Sequence, residues 1–267
     1  MTNSLRAVAC SAVLMLAFTA CSGGKDSGSS TPSSAPSSTP APTSTAPSST
    51  APSSTPPAVT PSAVPSSNPP AAPARTAAQL TKALLALADL PPGFSLEKDD
   101  AGDDSDVSVS SKDSRCAKLV AFTNADNPPG SKASAGQSYS GGAQGPFVDE
   151  TIDAMGSPAA ARALQKSFKQ AVTTCRTMTL KVPGEGSSPI SVREVSAPAV
   201  GTDPVAVRFT ATGGALEGFE VTMVTVAVND VVVAVTVING VPEDIEGATT
   251  AAVEKAQATL GASRSGT

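Results

Sequence analysis

The chain has 267 residues and a formal net charge of −5 from 23 acidic and 18 basic side chains, with no His, no Trp and one Tyr. The lack of His excludes Ser-His-Asp and Cys-His catalytic arrangements and zinc sites built on imidazole. Only Arg6, Lys25, Arg75 and Asp26 precede Thr76, which leaves 15 basic against 22 acidic residues beyond it. A domain of that sign repels phosphate backbones, so nucleic acid is not an expected partner.

Arg6 opens a weakly positive amino terminus, and an apolar stretch from Ala7 to Ala20 follows, broken by Cys10, Ser11 and Thr19. At roughly fourteen residues it is short for a membrane span but suits the core of a signal peptide, which places residues 1–20 as the signal. It ends in Ala17-Phe18-Thr19-Ala20-Cys21. This resembles the lipobox of bacterial lipoproteins, although Phe18 stands where Leu or Val is usual. The resemblance implies that Cys21 becomes the first mature residue and takes a diacylglycerol through a thioether. That would anchor the chain to the outer face of the cytoplasmic membrane. The plainer alternative is a secretory signal cleaved after Ala20, with Cys21 a bystander.

From Ser29 to Ala74 almost every residue is Ser, Thr, Pro or Ala, the exceptions being Val59, Val64 and Asn68. So little apolar surface cannot offset the entropy of ordering, and residues 21–75 are expected to form a disordered, lipidated stalk. At ~3.1 Å per residue, Ser29 to Ala74 would reach on the order of 140 Å when extended. The same composition permits O-glycosylation.

Residues 76–263 are the expected folded domain, a single α+β unit with an antiparallel sheet packed against helices. Thr76-Ala77-Ala78-Gln79 spells a capping box, and Leu80, Leu84 and Leu87 share one face of the helix it would open. Pro91-Pro92-Gly93 ends that helix. Ser95-Leu96-Glu97-Lys98 has the Ser-x-x-Lys spacing of β-lactamases but neither of the companion elements, so chance explains it. The acidic run that follows, Glu97, Asp99, Asp100, Asp103, Asp104 and Asp106, lacks EF-hand spacing and reads as a solvated turn rather than a calcium loop. No metal and no cofactor is expected.

Arg115 to Phe122 reads as a short helix. The Gly- and Ser-rich run from Gly136 to Gly145 reads as a loop bordering a ligand groove. Phe147 to Asp153 alternates as a strand, with Asp149, Thr151 and Asp153 on one side. Paired carboxylates can do acid-base work, but such a face is more often the wet side of a sheet. Ser157-Pro158 starts a helix whose apolar stripe is Ala161, Leu164, Phe168, Ala171, Val172 and Cys175. Val205, Val207 and Phe209 alternate with Ala206, Arg208 and Thr210 as a strand. Gly218 to Ile238 reads as a hairpin turning at Asn229-Asp230, pairing Val228 with Val231, Val226 with Val233 and Val224 with Val235. A last helix, about Pro242 to Leu260, would turn Ile245, Ala248, Ala252, Ala256 and Leu260 inward.

With Cys10 in the signal and Cys21 at the lipobox, the exported domain keeps Cys116 and Cys175. In an oxidising compartment one disulfide is the natural reading; a reactive thiol pair would lack both a CxxC spacing and a His. The order of the early Leu-rich helix, the Cys116 region, a strand before a helix ending in Cys175, a Val-rich sheet and a closing helix resembles the PknH-like extracellular sensor domain of actinobacterial envelope proteins. That resemblance implies a central cleft for an envelope ligand. The expectation is a non-catalytic, lipid-anchored sensor or binding module for a cell-wall component, lipid or small molecule, its ligand-binding residues unassigned. The alternative is an envelope protein-interaction or assembly factor.

Overall fold

The structure, a computed structural model, describes residues 74–97 and 107–261. Cys21, the signal, the stalk up to residue 73 and the acidic residues Asp99 to Asp106 lie outside the described residues. No helix among the described residues is long and apolar enough to cross a membrane.

Nine strands form one sheet: β1 (Ser95–Leu96), β2 (Ser108–Ser110), β3 (Ala133–Ser140), β4 (Phe147–Ala154), β5 (Thr177–Val182), β6 (Gly186–Val195), β7 (Thr202–Ala211), β8 (Glu220–Val228) and β9 (Val231–Ile238). Their order is β1-β3-β4-β9-β8-β7-β6-β5-β2, and every neighbouring pair is antiparallel. Strands β5 to β9 are a meander, each pairing antiparallel with the next in sequence. Asn229 takes a left-handed φ of 53° at the β8–β9 turn, a conformation Asn tolerates better than most residues. The pairs Val228/Val231, Val226/Val233 and Val224/Val235 are formed as the alternation dictates.

Four helices cover the sheet: α1 (Ala77–Thr81), α2 (Ala117–Thr123), α3 (Pro158–Thr174) and α4 (Pro242–Gly261). The α+β architecture expected from the residues is therefore the one observed. On one face α4 turns Ile245, Ala248, Ala252, Ala256 and Leu260 onto the valines of β8 and β9, with α1 beside it over β3 and β4. On the other face α3 carries the chain from β4 across to β5, packing on β6, β7 and β8 with α2 against it. Cys116 and Cys175 are disulfide-bonded with Cα atoms 4.6 Å apart, joining the turn before α2 to the end of α3.

Two sequence expectations need correction. The capping box of Thr76 and Gln79 is present, but the first helix stops at Thr81 and only a 3₁₀ turn, Leu87–Asp89, follows. Tertiary bonding overrides helical spacing here: Leu84 and Leu85 are both buried, and the Leu85 amide donates to the Glu150 carboxylate at 2.6 Å instead of to a helical carbonyl. Leu87, expected on the inner face, is 41% exposed. Nor is Gly136 to Gly145 one loop, since β3 runs through to Ser140. Tyr139 is fully buried in it, its hydroxyl donating to the Leu85 carbonyl.

Candidate functional site

Helices α3 and α2 leave part of their sheet face open. Strand alternation brings Asp149, Thr151 and Asp153 of β4 to that face, beside Val232, Ala234 and Thr236 of β9 and Met223 and Thr225 of β8. These residues floor a hollow of about 210 Å³. Leu164, Gln165 and Phe168 of α3 form one wall, and Phe122, Thr123, Ala125, Asp126 and Pro128, from the end of α2 and the loop after it, form the other. Phe122 and Phe168 meet edge to face at 5.5 Å, and the disulfide fixes the two helices that carry them.

Asp149 and Asp153 are not the wet side of a sheet, as their alternation suggests. Asp153 is 3% exposed, and Asp149 is partly buried on the floor of the hollow. Each faces a serine across the β3–β4 pair, Ser138 opposite Asp149 and Ser134 opposite Asp153, and each accepts a hydrogen bond from it. Ser131 adds a donor to Asp153 at 2.9 Å. Burial pushes both carboxyls up to about 6, against the lowering effect of these serines, and the charge of Glu97 raises Asp149 further. Asp126 stands exposed at the rim, and no Lys or Arg lines the hollow.

Gln165 is the residue that sequence reasoning passed over. It is 1% exposed, accepts the Thr225 hydroxyl at 2.8 Å through Oε1, and leaves Nε2 without a hydrogen-bond partner. Its signal was its place: counted from Ala161, residue 165 falls on the apolar stripe that continues through Phe168 and Val172, so an amide there must find a polar partner inside.

A second hollow of about 160 Å³ adjoins the first and shares Thr123 and Met223 with it. Apart from Thr123 its lining is apolar, including Val109, Leu180, Ile190, Phe209, Phe219 and Val221. The other sequence candidates lie elsewhere. Ser95 is on the exposed edge strand β1, where its hydroxyl reaches the Ser140 carbonyl at 3.4 Å, and Lys98 is outside the described residues. Cys116 and Cys175 are fully buried in their disulfide. No group of three or more Asp, Glu, His or Cys among the described residues converges as metal ligands do.

None of the curated proteins matches the chain. Among solved structures, the extracellular domain of PknH from Mycobacterium tuberculosis is similar at 18% identity and a TM-score of 0.53, over 71% of this chain and 98% of that one. An uncharacterised Mycobacterium smegmatis protein, the Rv0999 ortholog, matches at 15% identity over 72% of this chain and 98% of its own, with a TM-score of 0.35. The family model of the PknH-like extracellular domain matches residues 75–261, the whole of the sheet with its helices. The chain therefore belongs to the PknH-like extracellular domain family.

Proposed function

We propose that the chain is a lipid-anchored, extracytoplasmic binding or sensor module that recognises a cell-envelope component or small ligand in the hollow over β4, β9 and β8, without catalysing a reaction. The observation that supports this is a set of hydrogen-bonding groups held short of full satisfaction around an open cavity. Asp149 and Asp153 are desolvated on its floor, and Gln165, whose Nε2 has no hydrogen-bond partner, stands in its wall. Binding a complementary polar group there recovers hydrogen bonds the empty hollow forgoes, while the apolar walls supply surface to bury. The 1–20 signal, the 21–75 stalk and the domain from residue 76 to 263 complete the reading, with the membrane as partner through Cys21.

The full chain purified from its native membrane is expected to carry a small molecule detectable by mass spectrometry. Ala234→Trp, which fills the hollow, should lose it. An identical set of bound molecules in both proteins would overturn the reading and favour an envelope protein-interaction role. Anchoring is tested separately: a metabolic palmitate label should disappear with Cys21→Ser.

A further inference from the structure

Residues 82–90 follow α1 along the sheet face opposite the hollow, without regular structure except for the 3₁₀ turn Leu87–Asp89. Ala83, Leu84, Leu85 and Leu90 are buried in one apolar cluster with Tyr139 of β3 and Val148 and Ile152 of β4. Among the described residues, three polar ties fasten this segment to the domain beyond α1. The Leu85 amide donates to the Glu150 carboxyl at 2.6 Å, the Tyr139 hydroxyl donates to the Leu85 carbonyl at 2.5 Å, and the Lys255 ammonium holds the Asp89 carboxylate. Two of the three therefore meet at one residue. We propose that residues 82–90 are a pH-sensitive strap, clasped at Leu85 while the Glu150 carboxyl carries its proton and lifted from β3 and β4, with the rest of the sheet intact, when that proton is lost.

The geometry of the clasp suits a neutral carboxyl and not a charged one. Glu150 is 1% exposed, and its Oε1 has no hydrogen-bond partner, so one backbone amide is all that would solvate the anion. The groups that face it do not make up the deficit. Lys255 of α4 favours the charge but is engaged by Asp89 of the 3₁₀ turn, whose own charge opposes it. Tyr139 of β3 commits its hydroxyl to Leu85, and burial holds it well above its ordinary value, so it stays a neutral donor. On this face β9 presents Val233, Val235 and Val237. Burial therefore prevails and pushes Glu150 from an ordinary 4.5 up to about 7. A strap that lifts lets water reach the carboxyl and returns it toward its ordinary value. Closure is thus whole below that value, weakens as pH climbs and levels off once the folded carboxyl is fully ionised. The strap is the part that can yield, because its backbone bonds are local, whereas β4 is bonded along both edges to β3 and β9.

Amide hydrogen exchange of the full chain at about pH 5 and about pH 8, corrected for the intrinsic pH dependence of exchange, tests the strap. Protection of the amides of residues 83–90 should fall at least about tenfold between the two, and by more than that of the β8 and β9 amides. Glu150→Gln keeps an acceptor for Leu85 but cannot ionise, so the strap's protection should become the same at both pH values, whatever its level. Tyr139→Phe removes the clasp that does not titrate. It should lower the strap's protection by a similar factor at both pH values and leave the pH slope in place. Strap protection that does not change with pH, that changes only in step with β8 and β9, or that keeps its slope in Glu150→Gln overturns the proposal. The comparison of strap with β8 and β9 needs the wild-type chain alone, so it decides the matter even where a variant does not fold. None of these outcomes bears on the cleft, which lies on the other face and is judged by what Ala234→Trp does to the native occupant.

Discussion

The guanidinium of Arg75 grips the carboxylate of Asp230 across 155 residues of sequence. Its Nε donates to both carboxylate oxygens at 2.9 and 3.1 Å, and Nη2 lies 2.8 Å from Oδ1 while donating to the Leu260 carbonyl at 2.9 Å. The side chains are only 7% and 2% exposed. Arg75 therefore ties the point where the chain enters the domain to the β8–β9 turn and to the last turn of α4. Arg75→Ala removes a fork-shaped cation from a buried carboxylate and should cost ~3 kcal/mol in urea unfolding. Arg75→Lys should recover part of that loss, because an ammonium supplies charge but not the planar fork. A loss under ~1 kcal/mol would place this pair with solvent-exposed ones.

Stability should fall as pH rises through the weakly acidic range. Glu150 is 1% exposed on the α4 side of β4; its Oε2 accepts the Leu85 amide, and its Oε1 has no partner. Burial pushes Glu150 up to about 7, the Leu85 amide opposing, and Asp149 and Asp153 rise to about 6. A carboxyl whose pKa is raised by folding binds its proton more tightly in the native state. Its stabilising effect is whole below the unfolded-chain pKa of about 4 and is lost as pH climbs through the folded value. The Tm should thus be higher at about pH 5 than at about pH 8, with a plateau above about 8. Glu150→Gln keeps an acceptor for Leu85 but cannot ionise, so it should flatten the part of the slope nearest neutrality. A Tm that climbs with pH over this window would contradict the assignment.

The Cys116–Cys175 bond closes a separation of 59 residues. In the chain-entropy account such a cross-link stabilises the fold by ~4 kcal/mol, through the unfolded chain rather than through new native contacts. Cys116→Ser/Cys175→Ser should lower the urea midpoint accordingly. Because α2 and α3 wall the hollow, ligand affinity should weaken along with stability. Wild-type protein treated with reductant should respond only under partly unfolding conditions, since both cysteines are fully buried.

The parts of this fold that were legible in the sequence are those where one period ran undisturbed. The valines of β8 and β9 alternate around Asn229, so the register follows from the turn alone. The inner face of α4 repeats Ala and Ile at helical spacing, and all five expected residues are buried. The reading failed where distant groups decide. Nothing local says that the Leu85 amide will be claimed by Glu150 or that Tyr139 will be drawn under the first helix, so the spacing predicts too long a helix and a loop where β3 runs. The site sat between these cases. Alternation put Asp149, Thr151 and Asp153 on one side, but only the crossing of α3 turns that side into the floor of a hollow. Gln165 was visible as a polar residue on an apolar stripe, with no hint that Thr225 would take its oxygen.

Gly201, in the β6–β7 connection, lies against Val226 of β8 and Val253 of α4. It sits at φ 62°, and a Cβ added there would lie 2.2 Å from Val226 Cγ1 and 3.5 Å from Val253 Cγ1. Val226 and Val253 are both buried, so neither side chain has room to retreat. Gly201→Ala should therefore destabilise twice over, by about 1 kcal/mol for the left-handed backbone and by ~1–3 kcal/mol for overpacking. The two contributions separate in a double-mutant cycle. Val226→Ala removes the nearest methyl groups and should restore the packing loss of Gly201→Ala but not the backbone part, leaving a coupling energy of at least ~0.5 kcal/mol between the two positions. Strict additivity would mean that the glycine serves the turn alone and that the connection does not rest on Val226.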